Sequence, residues 1–220
     1  MLENRTIVVT GAGGALGQAV CARAEALGAK TVRLDLKFDQ KSGACYELDL
    51  TDREAVEKCL DDVGEFDGVF NIAGGFAMGA DTWASEDDDW ARMFAINVDT
   101  LRTVLKVAVP RLLALGSGNI VNVGAYGARE GLAQLSAYCA AKSVVMRLTE
   151  SLANEVRERG LNVNAVLPTV IDTPANREAM PDADPSQWVA PDDLANVICF
   201  LGSRDARAVH GALVPVRGLS

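Results

Sequence analysis

Apolar positions in this chain come in short, nearly unbroken blocks, and longer stretches separate them in which apolar and polar residues recur with a helical period. The blocks are "TIVVTG" (6–11), "KTVRLDL" (30–36), "CYELDL" (45–50), "FDGVFNIAG" (66–74), "NIVNVGA" (119–125), "LNVNAVLP" (161–168) and "ALVPV" (212–216). A strand with one wet face alternates; a strand covered on both faces does not, and these blocks are of the second kind. Between them lie predicted helices. They cover an Ala-rich stretch at 14–27, "REAVEKCLDDV" capped by Thr51-Asp52, a long region at 85–115, residues 136–158, and "PDDLANVICFLGS" (191–203), which opens on proline. Pro110 predicts a break or kink in the long region.

Strand and helix alternating in this way predict an α/β fold. The expected form is a doubly wound, seven-stranded parallel sheet with right-handed crossovers and helices on both faces. No linker, repeat or low-complexity segment divides the chain, so residues 1–220 are expected to form one domain.

Composition narrows the function. Hydrophobic residues make up 49% of the 220, enough for a sizeable core. The net charge of −9 argues against nucleic acid or an anionic membrane as partner, since both need a basic patch. No apolar run reaches the roughly 18 residues that span a bilayer. The first residues enter a strand with no signal peptide, so a soluble cytoplasmic protein is expected. The five cysteines are odd in number and scattered, which disfavours a disulfide framework or structural zinc. His210 is the only histidine, so a histidine base or a multi-histidine metal site is excluded. The run Glu86–Asp89 after Ser85 reads as a capped, solvated helix start, and no metal is expected.

Two stretches carry candidate chemistry. "TGAGGALG" (Thr10, Gly11, Gly14, Ala15, Leu16 and Gly17 among its residues) follows the first strand and opens the first helix. Glycines there let the backbone approach a pyrophosphate, and the helix N-terminus offers N–H donors. Asp35 ends the second strand, 24 residues after Gly11. A carboxylate there accepts both ribose hydroxyls and repels a 2′-phosphate, which favours NAD(H) over NADP(H). Arg33 and Lys37 are the charges that would soften that repulsion. Asp49 and Leu50 end the third block, where they would meet the adenine, Asp49 otherwise serving the next helix start. At the other stretch, Tyr138 and Lys142 are four residues apart and share one helix face. An ammonium beside a phenol stabilises the phenolate and eases proton transfer.

These motifs occur in order, with "NIAG" (71–74), Asn97, "YCAAK" and "LPTVIDT" between and after them. Together they resemble the short-chain dehydrogenase/reductase family over the whole chain. The resemblance implies a Rossmann fold, a small-molecule substrate, and a homodimer or homotetramer built on the helices near 90–115 and 137–158. It implies Tyr138 as proton donor or acceptor, Lys142 as its tuner and a ribose ligand, and Asn97 as anchor of a proton-relay water. It places Ala73 and Gly74 by the cofactor and makes Asn71 a tie between strands. "LPTVIDT" departs from the family's usual Pro-Gly, yet Pro168, the backbone near Val170 and the Thr173 hydroxyl are expected to hold the carboxamide and phosphate.

The largest departure lies 13 residues before Tyr138, where the family's serine is replaced by Ala125. Losing one positioned oxyanion donor costs roughly 100–1000-fold in rate. Ser117 and Ser136 are the nearest hydroxyls, Ser136 reading as a helix cap. The segment at 167–188, with "GGALG" (13–17) and "AGGFAMGA" (73–80), resembles dihydropteridine reductases, a divergent branch of the same family that also has alanine there. That resemblance implies NADH-dependent reduction of a quinonoid dihydropterin, whose conjugated ring needs no serine donor. Phe76, Met180, Met78, Trp83 and Trp188 are the candidate apolar walls. A general carbonyl or alcohol dehydrogenase, with Ser136, Tyr126 or a water as replacement donor, and a non-catalytic dinucleotide-binding protein are the competing readings.

Overall fold

The computed structural model describes residues 1–220. Its centre is one seven-stranded sheet: β1 (Thr6–Thr10), β2 (Lys30–Asp35), β3 (Ala44–Glu47), β4 (Gly68–Asn71), β5 (Gly118–Val123), β6 (Leu161–Pro168) and β7 (Leu213–Val216). Every pairing is parallel, in the order β3-β2-β1-β4-β5-β6-β7. Successive side chains on a strand point to opposite faces. Ile7 and Val9 therefore enter a core under α1 (Ala15–Ala26) and α7 (Pro191–Leu201). Val8 enters the other core, under α2 (Arg53–Val63), α4 (Thr100–Leu115) and α5 (Ser136–Val156). Full burial of one such side chain stabilises by roughly 1.5–3 kcal/mol, and both faces collect it.

Buried polar groups tie the layers. Asn71 donates from Nδ2 to Oδ1 of Asn122 at 2.8 Å, Asn122 donates to Thr149 Oγ1 at 2.9 Å, and Thr149 donates to the Val145 carbonyl at 2.8 Å. Asn164 on β6 donates to the Val209 carbonyl at 2.7 Å and accepts from the Ala212 N–H at 2.9 Å. Below the sheet, the buried Arg5 guanidinium donates to the carbonyls of Gly202 and Asp67, each at 2.6 Å, and to Asn119 Oδ1 at 2.8 Å.

Several local expectations are corrected. α4 does not break at Pro110 but continues through it. The proline ring and Lys106, whose carbonyl loses its partner, both face solvent, so water serves that carbonyl. The irregularity lies upstream, where one turn of π-helix, Ala95–Asp99, joins α3 (Asp87–Phe94) to α4. β3 ends at Glu47, because Asp49 Oδ1 takes the N–H and hydroxyl of Thr51 and turns the chain off the sheet. Of the expected Thr51-Asp52 pair, Asp52 supplies the cap of α2. α3 has no side-chain cap from Ser85; its acidic first turn meets the helix dipole unaided. Ser136 is the first residue of α5 rather than its cap, a place held by Leu135. A short helix that the sequence pattern did not predict, α6 (Pro174–Ala179), follows β6.

With β2 and β3 running to one side of β1 and β4–β7 to the other, the strand order reverses between β1 and β4. A crevice opens there at the carboxyl ends of the strands.

Candidate active site

The crevice is a cleft of about 1000 Å³. The turn after β1 forms its floor. Gly11 sits at φ +64°, and a Cβ there would lie 2.7 Å from the Ala73 backbone. A Cβ on Gly17 would lie 2.0 Å from the Gly11 carbonyl oxygen. Only glycine fits either position, and the turn closes against the start of α1. Gly14 caps α1 with no side chain over its first N–H groups, so they face the cleft as donors for a phosphate. Gly11, Gly14, Ala15, Leu16 and Gly17 all line the cleft.

Asp35 stands at the edge of this turn. Its Oδ2 accepts the Gly13 N–H at 2.8 Å and its Oδ1 the Leu36 N–H at 2.7 Å, which fixes the carboxylate and leaves lone pairs toward the cleft. Arg33 does not reach inward: its Nη2 pairs with Glu25 at 2.7 Å. Lys37 lines the cleft beside Asp35, as do Asp49 and Leu50. A glycine cradle followed by a fixed carboxylate fits a dinucleotide.

The chemical end is built on α5. Tyr138 and Lys142 both line the cleft. Burial pushes the Tyr138 phenol up to about 12 and the Lys142 amine down to about 8. Both shifts disfavour the charged form, the opposite of the lowered phenol expected from an adjacent ammonium. The reason is visible in the contacts: Lys142 Nζ donates to the Val123 carbonyl at 2.9 Å, at the end of β5, rather than to the phenol. Phe76 meets the Tyr138 ring edge-on, with centroids 5.0 Å apart and planes at 79°. Ala125 is 5% exposed and packs with Ala128, Cys139, Met146 and Leu167, its methyl forming cleft wall. Neither Ser117 nor Ser136 lines the cleft; its hydroxyls come from Thr51, Thr100, Tyr126, Tyr138 and Thr169.

The remaining expected residues divide. Ala73, Gly74, Phe76, Pro168, Val170 and Met180 line the cleft. Met78 lines a small neighbouring pocket, Trp83 is 86% exposed, and neither it nor Trp188 forms cleft wall. Thr173 caps α6, accepting the Asn176 N–H at 3.2 Å, and Asn176 takes the place on the cleft wall expected for it. Thr10, Asn71 and Asn97 lie behind the cleft, around a separate cavity of about 10 Å³ that they share with Asn122. Thr10 Oγ1 accepts the Ala73 N–H at 3.1 Å. Asn71 Oδ1 is buried without a partner beside that cavity, which has room for about one water. The Asn97 amide is engaged at both ends by backbone, so its side chain holds a loop beside that cavity. Oδ1 accepts from Gly75 N at 3.1 Å, and Nδ2 donates to the carbonyls of Gly75 and Met93, each at 3.0 Å.

A family model described as short chain dehydrogenase matches residues 5–184, which include the glycine turn, Asp35, Tyr138 and Lys142. The chain belongs to the short-chain dehydrogenase family. It is 28% identical to the short chain dehydrogenase adrF of Penicillium rubens, over 98% of this chain and 96% of that one. It is 29% identical to meso-2,3-butanediol dehydrogenase of Serratia marcescens, over 98% and 94% of the two chains. A short-chain dehydrogenase/reductase of Mycobacterium ulcerans superposes with a TM-score of 0.91 at 25% identity, over 99% of this chain and 90% of that one. As a short-chain dehydrogenase, the chain is an oxidoreductase that uses NAD(P)(H) and acts on a small molecule. No helix is long and apolar enough to cross a membrane.

Sequence reasoning missed five residues of this site. Asn122 and Thr149 complete the Asn71 tie, and their signal was the polar break in otherwise apolar "NIVNV". Asn176 was hidden inside the unpredicted α6. Arg129 and Arg217 sit near Tyr126 from loops far apart in sequence, which no spacing rule joins.

Proposed function

We propose that this short-chain dehydrogenase uses NADH to reduce an electron-poor conjugated acceptor of the quinonoid dihydropterin class, with Tyr138 as proton donor. The observation that carries the reading is Ala125: an apolar wall stands where an oxyanion donor would be, and neither nearby serine reaches the cleft. An isolated carbonyl suffers from that loss, whereas a conjugated ring spreads the developing charge over several atoms. Phe76 adds an apolar ring surface beside Tyr138.

The bound nicotinamide supplies the hydride. Tyr138, held protonated by burial, gives its proton to the acceptor, and Lys142, its amine near neutrality, binds the ribose side and supplies positive charge behind the phenol. The fixed Asp35 carboxylate favours NADH over NADPH. Assembly as a homodimer or homotetramer through α4 and α5 follows the family's habit, and five unpaired cysteines fit a reducing, cytoplasmic setting.

The test is turnover of freshly generated quinonoid dihydropterin with NADH, alongside Tyr138→Phe. Absence of turnover, or equal turnover in the variant, overturns the reading. The second reading is an alcohol or ketone dehydrogenase in which the Tyr126 hydroxyl replaces the serine. It is supported by the place of Tyr126 on the cleft wall and by the similarity to a butanediol dehydrogenase. Faster reduction of simple ketones than of the pterin, lost in Tyr126→Phe, selects it.

A further inference from the structure

Tyr126 carries two arginines on its ring. The Arg129 guanidinium carbon lies 4.4 Å from the ring centroid and that of Arg217 lies 4.7 Å from it, so the two charges are at most about 9 Å apart. Arg129 ends a short 3₁₀ turn, Gly127–Arg129, and Arg217 follows β7 directly. Neither is paired with an aspartate or glutamate side chain, although the chain has a net charge of −9 and other surface arginines have found acidic partners. Arg217 Nε donates to a main-chain oxygen of Ser220 at 3.0 Å and its Nη1 to the Tyr126 hydroxyl at 3.4 Å. The Arg129 guanidinium makes no hydrogen bond to the protein, so its five N–H donors face water.

The pair sits at the rim of the substrate end. Tyr126 and Thr169 are both cleft wall, and Thr169 Oγ1 donates to the Arg217 carbonyl at 2.9 Å. Two like charges brought to one aromatic ring repel each other, and the ring quadrupole offsets little of that at an exposed site. An anion placed between them removes the repulsion and gains charge-assisted, bidentate hydrogen bonds from both forks.

We propose that Arg129 and Arg217 form an anion subsite, and that the natural acceptor carries a carboxylate, phosphate or sulfonate at the end remote from its reacting atom. The proposal rests on the reading that the cleft beside Tyr138 takes the substrate, and it holds for either class of acceptor named above. It turns a cleft of unspecified preference into one with a charge requirement.

The test is calorimetric binding of 4-acetylbenzoate and of its neutral counterpart 4-acetylbenzamide to the NAD⁺-loaded protein at low salt. The acid is expected to bind about tenfold more tightly, with the preference shrinking in 0.5 M sodium chloride, where the Debye length is about 4 Å. In the doubly substituted Arg129→Gln/Arg217→Gln protein the acid-to-amide ratio is expected to fall toward one, while Arg→Lys at both positions retains part of it. An unchanged thermal melt and NAD⁺ affinity establish that the variants are folded. Equal binding of acid and amide, a preference that survives the double glutamine substitution, or binding of neither compound overturns the proposal. Because the readout is binding, failure to turn over a pterin is a separate result that bears only on the reaction.

Discussion

The side-chain amide of Asn97 and the backbone of Gly75 hydrogen-bond reciprocally, N–H to Oδ1 at 3.1 Å and Nδ2 to carbonyl at 3.0 Å. The π turn aims Asn97 at this loop, and the loop's next residue is Phe76, packed against Tyr138. The amide thus fixes the ring that braces the proton donor. A Cβ on Gly74 would lie 2.7 Å from Asn97 Oδ1 and 3.1 Å from Lys142 Nζ, so the loop has no slack. Asn97→Ala is expected to cost about 2–3 kcal/mol of stability, from three lost hydrogen bonds of about 1 kcal/mol each. It is also expected to lower kcat more than it raises KM for NADH. Urea melts and steady-state kinetics read both, and a variant as stable and as fast as wild type would remove Asn97 from this role.

Lys142 makes a pH-dependent demand on the fold. Its folded value of about 8 lies below the ordinary 10.5, so between those values the unfolded chain binds more protons and stability rises with pH. Lys142→Met lacks that slope. Its stability relative to wild type is therefore expected to be greatest below about pH 8 and to decline by about 3 kcal/mol as pH rises to 10.5. Denaturant titrations across that range check it; a pH-independent difference refutes it. Tyr138 acts in the other sense: raised to about 12, it favours the fold at neutral pH, and that contribution is lost as pH climbs from 10 through 12.

Restoring the missing hydroxyl separates acceptor classes. Ala125→Ser adds one oxygen to a buried, tightly packed wall. It is expected to raise kcat/KM for simple ketones by about 100-fold, the worth of one oxyanion donor, and to leave conjugated acceptors nearly unmoved. Competition assays with paired substrates measure the ratio. Equal gains for both classes would mean that the alanine carries no information about substrate.

Cofactor choice rests on the carboxylate fixed by Gly13 and Leu36. Wild type is expected to bind NADH at least about tenfold more tightly than NADPH, and Asp35→Ser to narrow that ratio by a similar factor. Fluorescence titration of both dinucleotides decides it, and a wild-type preference for NADPH would assign Lys37 the leading part.

Arg5 should matter as much as any core residue. Its three bonds join the start of β1 to Asp67, Asn119 and Gly202. Arg5→Met leaves the Gly202 carbonyl and the Asn119 amide oxygen without the donor they have here, while the Asp67 carbonyl keeps the Asn119 N–H, and is expected to cost about 2–4 kcal/mol. A thermal melt within a degree or two of wild type would show that water replaces it.

Much of this was legible in the chain. Unbroken apolar blocks gave all seven strands, since a both-faces-covered strand has few alternatives, and the motif order gave the turn, Asp35, Tyr138 and Lys142. What stayed hidden depended on solvent or on distant partners. Pro110 reads as a breaker until its ring is seen facing water. Ser136 reads as a cap until the helix is found to start on it. The bonds of the Asn97 amide to Gly75 and Met93 depend on a loop and a turn that no motif announces. The Arg129–Tyr126–Arg217 grouping brings Arg217 from the far end of the chain onto a Tyr126–Arg129 pair, and no spacing relation announces that.

The asparagines of the sheet have one more consequence, for folding. Parallel strands made only of valine and isoleucine could slide past one another and still bury the same oil. Asn71, Asn122 and Asn164 forbid this, because each amide finds its partner in one alignment only. A slip of one residue would throw them onto the opposite face, among aliphatic side chains and with no donor or acceptor in reach. The polar ladder thus acts as a proofreading device: misaligned sheets are penalised while they form, and the chain is left with a single way to assemble its crevice.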